Sequence, residues 1–195
     1  MLMHHPWVSR SFVLTIPRCL DNKCAETISL LEQGGICAEP FLGLDADTAG
    51  LSTKWTYDVD NPGTNYHIGR KTLALYLGHL MIYQACLLLP GDAYLIMEDD
   101  VRFDSNWKAR FDSAIDRLPH DWDLIYMGAC CTSGRQHVRV ADGLFSTNYV
   151  LCTHAIIFRK KALPVIIDGC RRIYAPLDIA IAFHCIPTLK TFVFL

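Results

Sequence analysis

Basic residues in this chain come only in short, scattered groups such as Arg70-Lys71, Lys160-Lys161 and Arg171-Arg172, and the formal net charge is −2. A nucleic-acid surface needs clustered lysine and arginine, so no DNA or RNA partner is expected, and these pairs read as helix-end charges. No CxxC pair and no Cys/His cluster with zinc-finger spacing occurs, which argues against a structural zinc. The nine cysteines are an odd number, single apart from Cys130-Cys131. Cys86, Cys152 and Cys185 stand in apolar company, as small hydrophobes of a reducing compartment rather than a disulfide framework. The N-terminal "MLMHHPWVSR" lacks a basic stretch followed by an apolar core, so no signal peptide is expected. The apolar stretch "LALYLGHLMIYQACLLLP" (73–90) is broken by Gly78, His79 and Gln84 and stops at Pro90. That falls short of the roughly 20 apolar residues of a membrane span, and it reads as a buried helix. The expectation is therefore a cytoplasmic protein with no transmembrane segment, at most peripheral to the membrane. A glycine-rich phosphate loop is also missing, which counts against a phosphoryl or nucleotidyl transferase. No Ser or Cys sits in an elbow or triad setting, so no covalent nucleophile is indicated.

What is present is ample apolar material, 51% of 195 residues, enough for one domain with a substantial core. "SFVLTI" (11–16) is a short β-branched run ending at Pro17, and "DNKCAETISLLEQ" (21–33) has helical spacing that stops at Gly34-Gly35. The 72–89 helix, a strand at 93–97, a helix through Trp107, Phe111, Ile115 and Leu118 capped by Asp104 or Ser105, and a strand at 123–128 follow. Two apolar runs in 143–159, helices in 160–170 and 175–183, and a strand at 188–195 complete the pattern. The alternation predicts one α/β domain over residues 10–195 with an open, mostly parallel sheet flanked by helices. Residues 43–70, rich in Asp, Gly, Pro and Asn, read as a long loop or lid.

One stretch stands apart. "AYLIMEDDVRF" (93–103) runs an apolar strand straight into Glu98, Asp99 and Asp100. In open α/β sheets ligands bind beyond the carboxyl ends of the strands, where this trio would sit. Side-chain alternation would send Glu98 and Asp100 one way and Asp99 the other. Like charges about 4 Å apart repel by roughly 4 kcal/mol at an effective dielectric near 20. A divalent cation offsets that repulsion, and Mg²⁺ or Mn²⁺ held by one or two carboxylates plus a substrate's phosphates is the usual arrangement. The bland alternative, helix-capping carboxylates, suits Asp104 but not a trio separated from the helix by Val101–Phe103.

"AYLIMEDDVRF", with "LGHLMIYQACL" (77–87) before it, "DWDLIYMG" (121–128) after it and the late "APLDIAIAF" (175–183), resembles glycosyltransferase family 25. That family is lipooligosaccharide galactosyltransferase-like and includes collagen galactosyltransferases. The resemblance implies a GT-A fold, a nucleotide-diphosphate-sugar donor (UDP-sugar first), Mn²⁺ or Mg²⁺, and inverting transfer of a hexose, galactose first, to a glycan or glycolipid such as lipopolysaccharide. It places Glu98 and Asp100 on the metal, and Asp99, Arg18 and His79 on the donor side. It makes Asp178 the base that takes the acceptor hydroxyl's proton. His154 is a weaker acceptor-side candidate, and Trp55 or Tyr57 in a lid over 46–69 would stack on a sugar ring. Thr15, Pro17 and Gly78 stand where the family carries other residues. The alternative is thus a catalytically inactive domain of the same shape that binds a sugar nucleotide or a partner.

Overall fold

The computed structural model describes residues 8–52, 54–57, 65–130 and 137–195, with only the backbone of 54–57 and 65. Two apolar runs make its centre. Strand β1 (Arg10–Thr15) and strand β5 (Ala93–Glu98) lie side by side, parallel, with Arg10 opposite Tyr94 and Leu14 opposite Glu98. Each has five buried residues in succession, as expected of strands covered on both faces. Strand β2 (Ala38–Leu42) pairs parallel on the outer side of β1.

On the other side the expected parallel order breaks. Strand β9 (Ala155–Arg159) enters between β5 and strand β6 (Leu124–Tyr126), antiparallel to both. Strand β10 (Thr191–Phe194) is parallel to β6, and strands β8 (Leu144–Thr147) and β7 (His137–Ala141) close the edge antiparallel. The sheet has eight strands in the order β2-β1-β5-β9-β6-β10-β8-β7. It is mixed, which corrects the mostly parallel expectation. β9 lies between β5 and β6 and runs against both, in the same sense as β8. Within the expected lid, β3 (Lys54–Tyr57) and β4 (Asn65–Ile68) form a separate antiparallel pair.

Helices cover both faces. Helix α2 (Arg70–Leu88), helix α4 (Leu163–Gly169) and helix α5 (Leu177–His184) pack on the face that buries Tyr94, Ile96, Tyr126, Ile156 and Phe158. Helix α1 (Ala25–Gln33) and helix α3 (Trp107–Ile115) cover the face that buries Leu95, Met97, Ile125 and Ile157. The period-two alternation of the strands thus supplies two apolar cores. No described helix is long and apolar enough to cross a membrane. Helix α3 starts after Asn106 without a side-chain cap, rather than at Asp104 or Ser105; Asp104 Oδ1 accepts the Asn106 N–H at 2.8 Å.

Helix α1 ends where the glycines stand. Gly34 N–H donates to the Leu30 carbonyl and Ile36 N–H to the Leu31 carbonyl, and Gly35 takes φ +79, the left-handed turn that glycine adopts without penalty. Gly34 has a second constraint: a Cβ there would lie 2.4 Å from Trp107 Cζ2. Trp107 is held against Phe103, ring centroids 5.0 Å apart, so it cannot retreat freely. Gly34→Ala is expected to destabilise the fold by about 1–3 kcal/mol, read as a lower urea midpoint at unchanged slope; an unchanged midpoint would contradict this packing.

Candidate functional site

Glu98 is the last residue of β5, and Asp99 and Asp100 form the turn after it. Glu98 engages His79 of α2, on one side of the sheet, whereas Asp99 engages Thr15 of β1 and, through its carbonyl, Thr27 of α1. All three line one cavity of about 400 Å³, together with Thr15, Lys23 and Lys71, within the size range of small-molecule sites. Its far wall is made by Gly43, Leu44 and Ala46, the start of the segment expected as a lid. The described part of that segment therefore borders the acids; the side chains of Trp55 and Tyr57 lie outside the described residues.

Each acid has a different setting. Glu98 Oε1 accepts from Thr153 Oγ1 at 2.6 Å and lies 3.1 Å from His79 Nε2, while its backbone N–H donates to the His154 carbonyl at 2.9 Å. Burial pushes the Glu98 carboxyl up, but the hydrogen bonds from His79 and the Thr153 hydroxyl help to outweigh it and hold the group below its ordinary value. Asp99 Oδ2 accepts from Thr15 Oγ1 at 2.5 Å, and Thr27 Oγ1 donates to the Asp99 carbonyl at 3.2 Å. Asp100 is exposed and has no hydrogen-bond or ion-pair partner among the described residues.

His79 is fully buried in the middle of α2, so it offers no surface to a donor, and that expectation is corrected. His79 is a hydrogen-bonding partner of Glu98. A carboxylate only accepts, so in the neutral imidazole Nε2 carries the proton and Nδ1 accepts from Tyr83 Oη at 3.1 Å. Tyr83 stays a donor because burial, then the nearby Cys170, pushes its phenol well above the ordinary value.

Arg18 borders the same cavity, half exposed. It is already engaged, with Asp47 at 2.5 Å and Asp45 at 3.4 Å, and the bond to Asp47 raises its pKa further. Lys23 and Lys71, which no motif singled out, line the cavity as well. Lys71 stands beside Arg70 in the first turn of α2, the end of a helix where a cation is least favoured. An anionic ligand would remove that conflict.

Asp178 opens α5 and borders a second cavity of about 260 Å³ with Thr72, Tyr76, Thr153 and His154. The two cavities share Glu98 and Leu75. Asp178 Oδ1 accepts the Ile179 N–H at 2.9 Å and Oδ2 the Cys152 N–H at 3.2 Å. Residues 152–154 come to this rim because β9 is antiparallel: its first residue, Ala155, lies opposite Met97, next to Glu98. A disulfide joins Cys130 to Cys152, which corrects the reading of Cys152, whereas Cys86 and Cys185 are buried free thiols as expected. Sequence spacing carries no signal for Thr15, Thr153 or Cys152, since their partners are remote in the chain.

Among the described residues no group of three or more His, Cys, Asp or Glu side chains gathers to hold a metal ion. Among the described residues, however, Glu98 Oε2 and Asp99 Oδ1 accept no hydrogen bond, and Asp100 is unengaged. Such a donor set fits a hard cation held by one or two carboxylates together with a ligand's phosphate oxygens, not an all-protein cage.

No family model matches the chain. A Bos taurus protein named "Probable inactive glycosyltransferase 25 family member 3" is 26% identical to it over 126 residues, 60% of this chain and 21% of that protein. The chain thus spans about a fifth of that relative's length (21%). The chain is thus distantly similar to a protein named as a member of glycosyltransferase family 25.

Proposed function

We propose that this chain binds a nucleotide-diphosphate sugar in the larger cavity and transfers its hexose, with inversion, to a glycan hydroxyl presented from the smaller one. The observation that carries this reading is the pair of adjoining cavities meeting at Glu98, with Asp99, Asp100, Lys23 and Lys71 around one and Asp178 on the other. A transfer between two substrates needs such a junction. UDP-galactose is the first donor to test, and a lipopolysaccharide-type glycan the first acceptor.

The residues divide the task. Lys23 and Lys71 attract the diphosphate, and Asp100 with Glu98 would hold Mn²⁺ or Mg²⁺ against it. Bound there, the cation would neutralise charge on the departing diphosphate. Asp99, tied to Thr15, faces the donor's ribose or sugar. Asp178 takes the acceptor hydroxyl's proton as the new C–O bond forms and the bond to the diphosphate breaks. His79 and Thr153 hold Glu98 in place throughout.

A second reading, binding without transfer, has its own support. Glu98 and Asp99 each commit an oxygen internally, Arg18 is taken up by Asp45 and Asp47, and the relative's name carries the words "Probable inactive". Thermal shifts with UDP-, GDP- and CMP-sugars, with and without Mn²⁺, and release of nucleoside diphosphate separate the two. UDP-galactose with Mn²⁺ should raise Tm, since a ligand of the native state stabilises it by mass action. Asp100→Ala is expected to weaken the Mn²⁺-dependent binding at least about tenfold, or roughly 1.4 kcal/mol. An unchanged Mn²⁺ response in that variant would remove Asp100 from the metal site.

A further inference from the structure

Three consecutive residues before β9 together touch both acidic positions. Cys152 N–H donates to Asp178 Oδ2, Thr153 Oγ1 donates to Glu98 Oε1, and the His154 carbonyl accepts from Glu98 N–H. Leu151 forms an isolated antiparallel bridge with Cys130. Cys152 itself sits at φ +79 and is the only described residue besides glycine with a positive φ. A side chain with a Cβ rarely adopts that conformation unless its surroundings impose it, and such residues cluster at functional sites. The covalent constraint at hand is the disulfide to Cys130, which follows β6.

We infer that the Cys130–Cys152 disulfide is a clamp that positions Glu98 and Asp178, so that opening it disengages both carboxylates and switches the site off. Cys152 and Thr153 are positioning residues in this scheme. In the reduced form Cys152 relaxes out of the left-handed region, its amide leaves Asp178, and the Thr153 hydroxyl is drawn away from Glu98. The chemistry is thiol–disulfide exchange with a dithiol reductant. One reductant thiolate attacks a sulfur of the pair, breaking the protein S–S bond and forming a mixed disulfide. The second reductant thiolate then displaces the remaining protein thiolate. Two electrons and two protons end on Cys130 and Cys152, and the reductant leaves as its cyclic disulfide. A reducing compartment would hold the clamp open and an oxidising one would hold it shut. The gating of turnover rests on the proposed transferase reading; the clamp itself rests only on the geometry.

The test uses the whole chain in a Cys131→Ser background, which removes the neighbouring thiol. Oxidised protein, protein treated with dithiothreitol, Cys130→Ser and Cys152→Gly are compared, with far-UV circular dichroism to confirm folding. With UDP-galactose and Mn²⁺, reduction and Cys130→Ser should each lower kcat about tenfold or more at little-changed donor KM, the signature of misplaced groups. Cys152→Gly also lacks the disulfide, but glycine takes the same φ without strain, so it should retain several times the turnover of Cys130→Ser. Full turnover in folded, reduced protein would overturn the inference, as would equal loss in Cys152→Gly and Cys130→Ser. If the oxidised protein releases no nucleoside diphosphate, the transferase reading fails and the clamp is judged by amide hydrogen exchange. The Cys152 N–H should then exchange at least about tenfold faster after reduction, and unchanged protection would refute the clamp.

Discussion

Glu98→Gln is expected to leave the fold nearly intact while lowering sugar-nucleotide turnover by about a hundredfold or more, the scale on which charged groups act in a water-poor site. Glutamine keeps an oxygen for Thr153 and His79, whose bonds to Glu98 Oε1 measure 2.6 and 3.1 Å. It removes only the charge that a cation and the His79 imidazole feel. Glu98→Ala goes further, because it strands the fully buried His79 Nε2 and the Thr153 hydroxyl without their acceptor. Leaving buried polar groups unpaired costs about 1–3 kcal/mol, so alanine should lose stability as well as turnover. If both variants turned over donor at the wild-type rate, Glu98 would have no part in the chemistry.

The same residue sets an acid dependence whose sign follows from its shift. Glu98 titrates below its ordinary value in the fold, so the native state favours the ionised form. Its contribution to stability is full above the ordinary carboxylate range and disappears as pH falls through the lower, folded value. Urea unfolding followed from neutral to acid pH should show that loss in the wild type and a smaller slope in Glu98→Gln. Equal slopes would assign the acid sensitivity to other carboxylates.

Phe158→Ala should produce the largest loss of stability, about 3–5 kcal/mol, against a total of roughly 5–15 kcal/mol for a domain. Phe158 is 1% exposed on β9, opposite both Tyr94 of β5 and Leu124 of β6. Its ring lies 4.9 Å, centroid to centroid, from that of Tyr83. The missing ring would loosen Tyr83 and, through the chain Tyr83–His79–Glu98, the acidic corner of the site. Calorimetry should register a fall in Tm of roughly 10 °C for a chain of this size. A loss below about 1 kcal/mol would mean that β9 is not the central packing strand described here.

Local patterns in the chain located β1, α1, α2 and β5 to within a few residues. They are apolar runs or helical repeats bounded by Gly, Pro or charge, and their information is held within about ten neighbours. The edge strands β2 and β7 escaped notice because their exposed residues interrupt any apolar run.

By itself, the sequence determined that an apolar strand ends in three carboxylates, that a long buried helix precedes it, and that the chain is α/β. Those properties follow from adjacent residues and from periods of two and 3.6. Only the tertiary structure decided what the carboxylates face. Thr15 reaches Asp99 across 84 residues of sequence and Thr153 reaches Glu98 across 55, separations that no local period encodes. The antiparallel entry of β9 brings residues 152–154, the disulfide and Asp178 to the same rim, because strand pairing is set by which edges are free when the segments meet, not by the composition of either one.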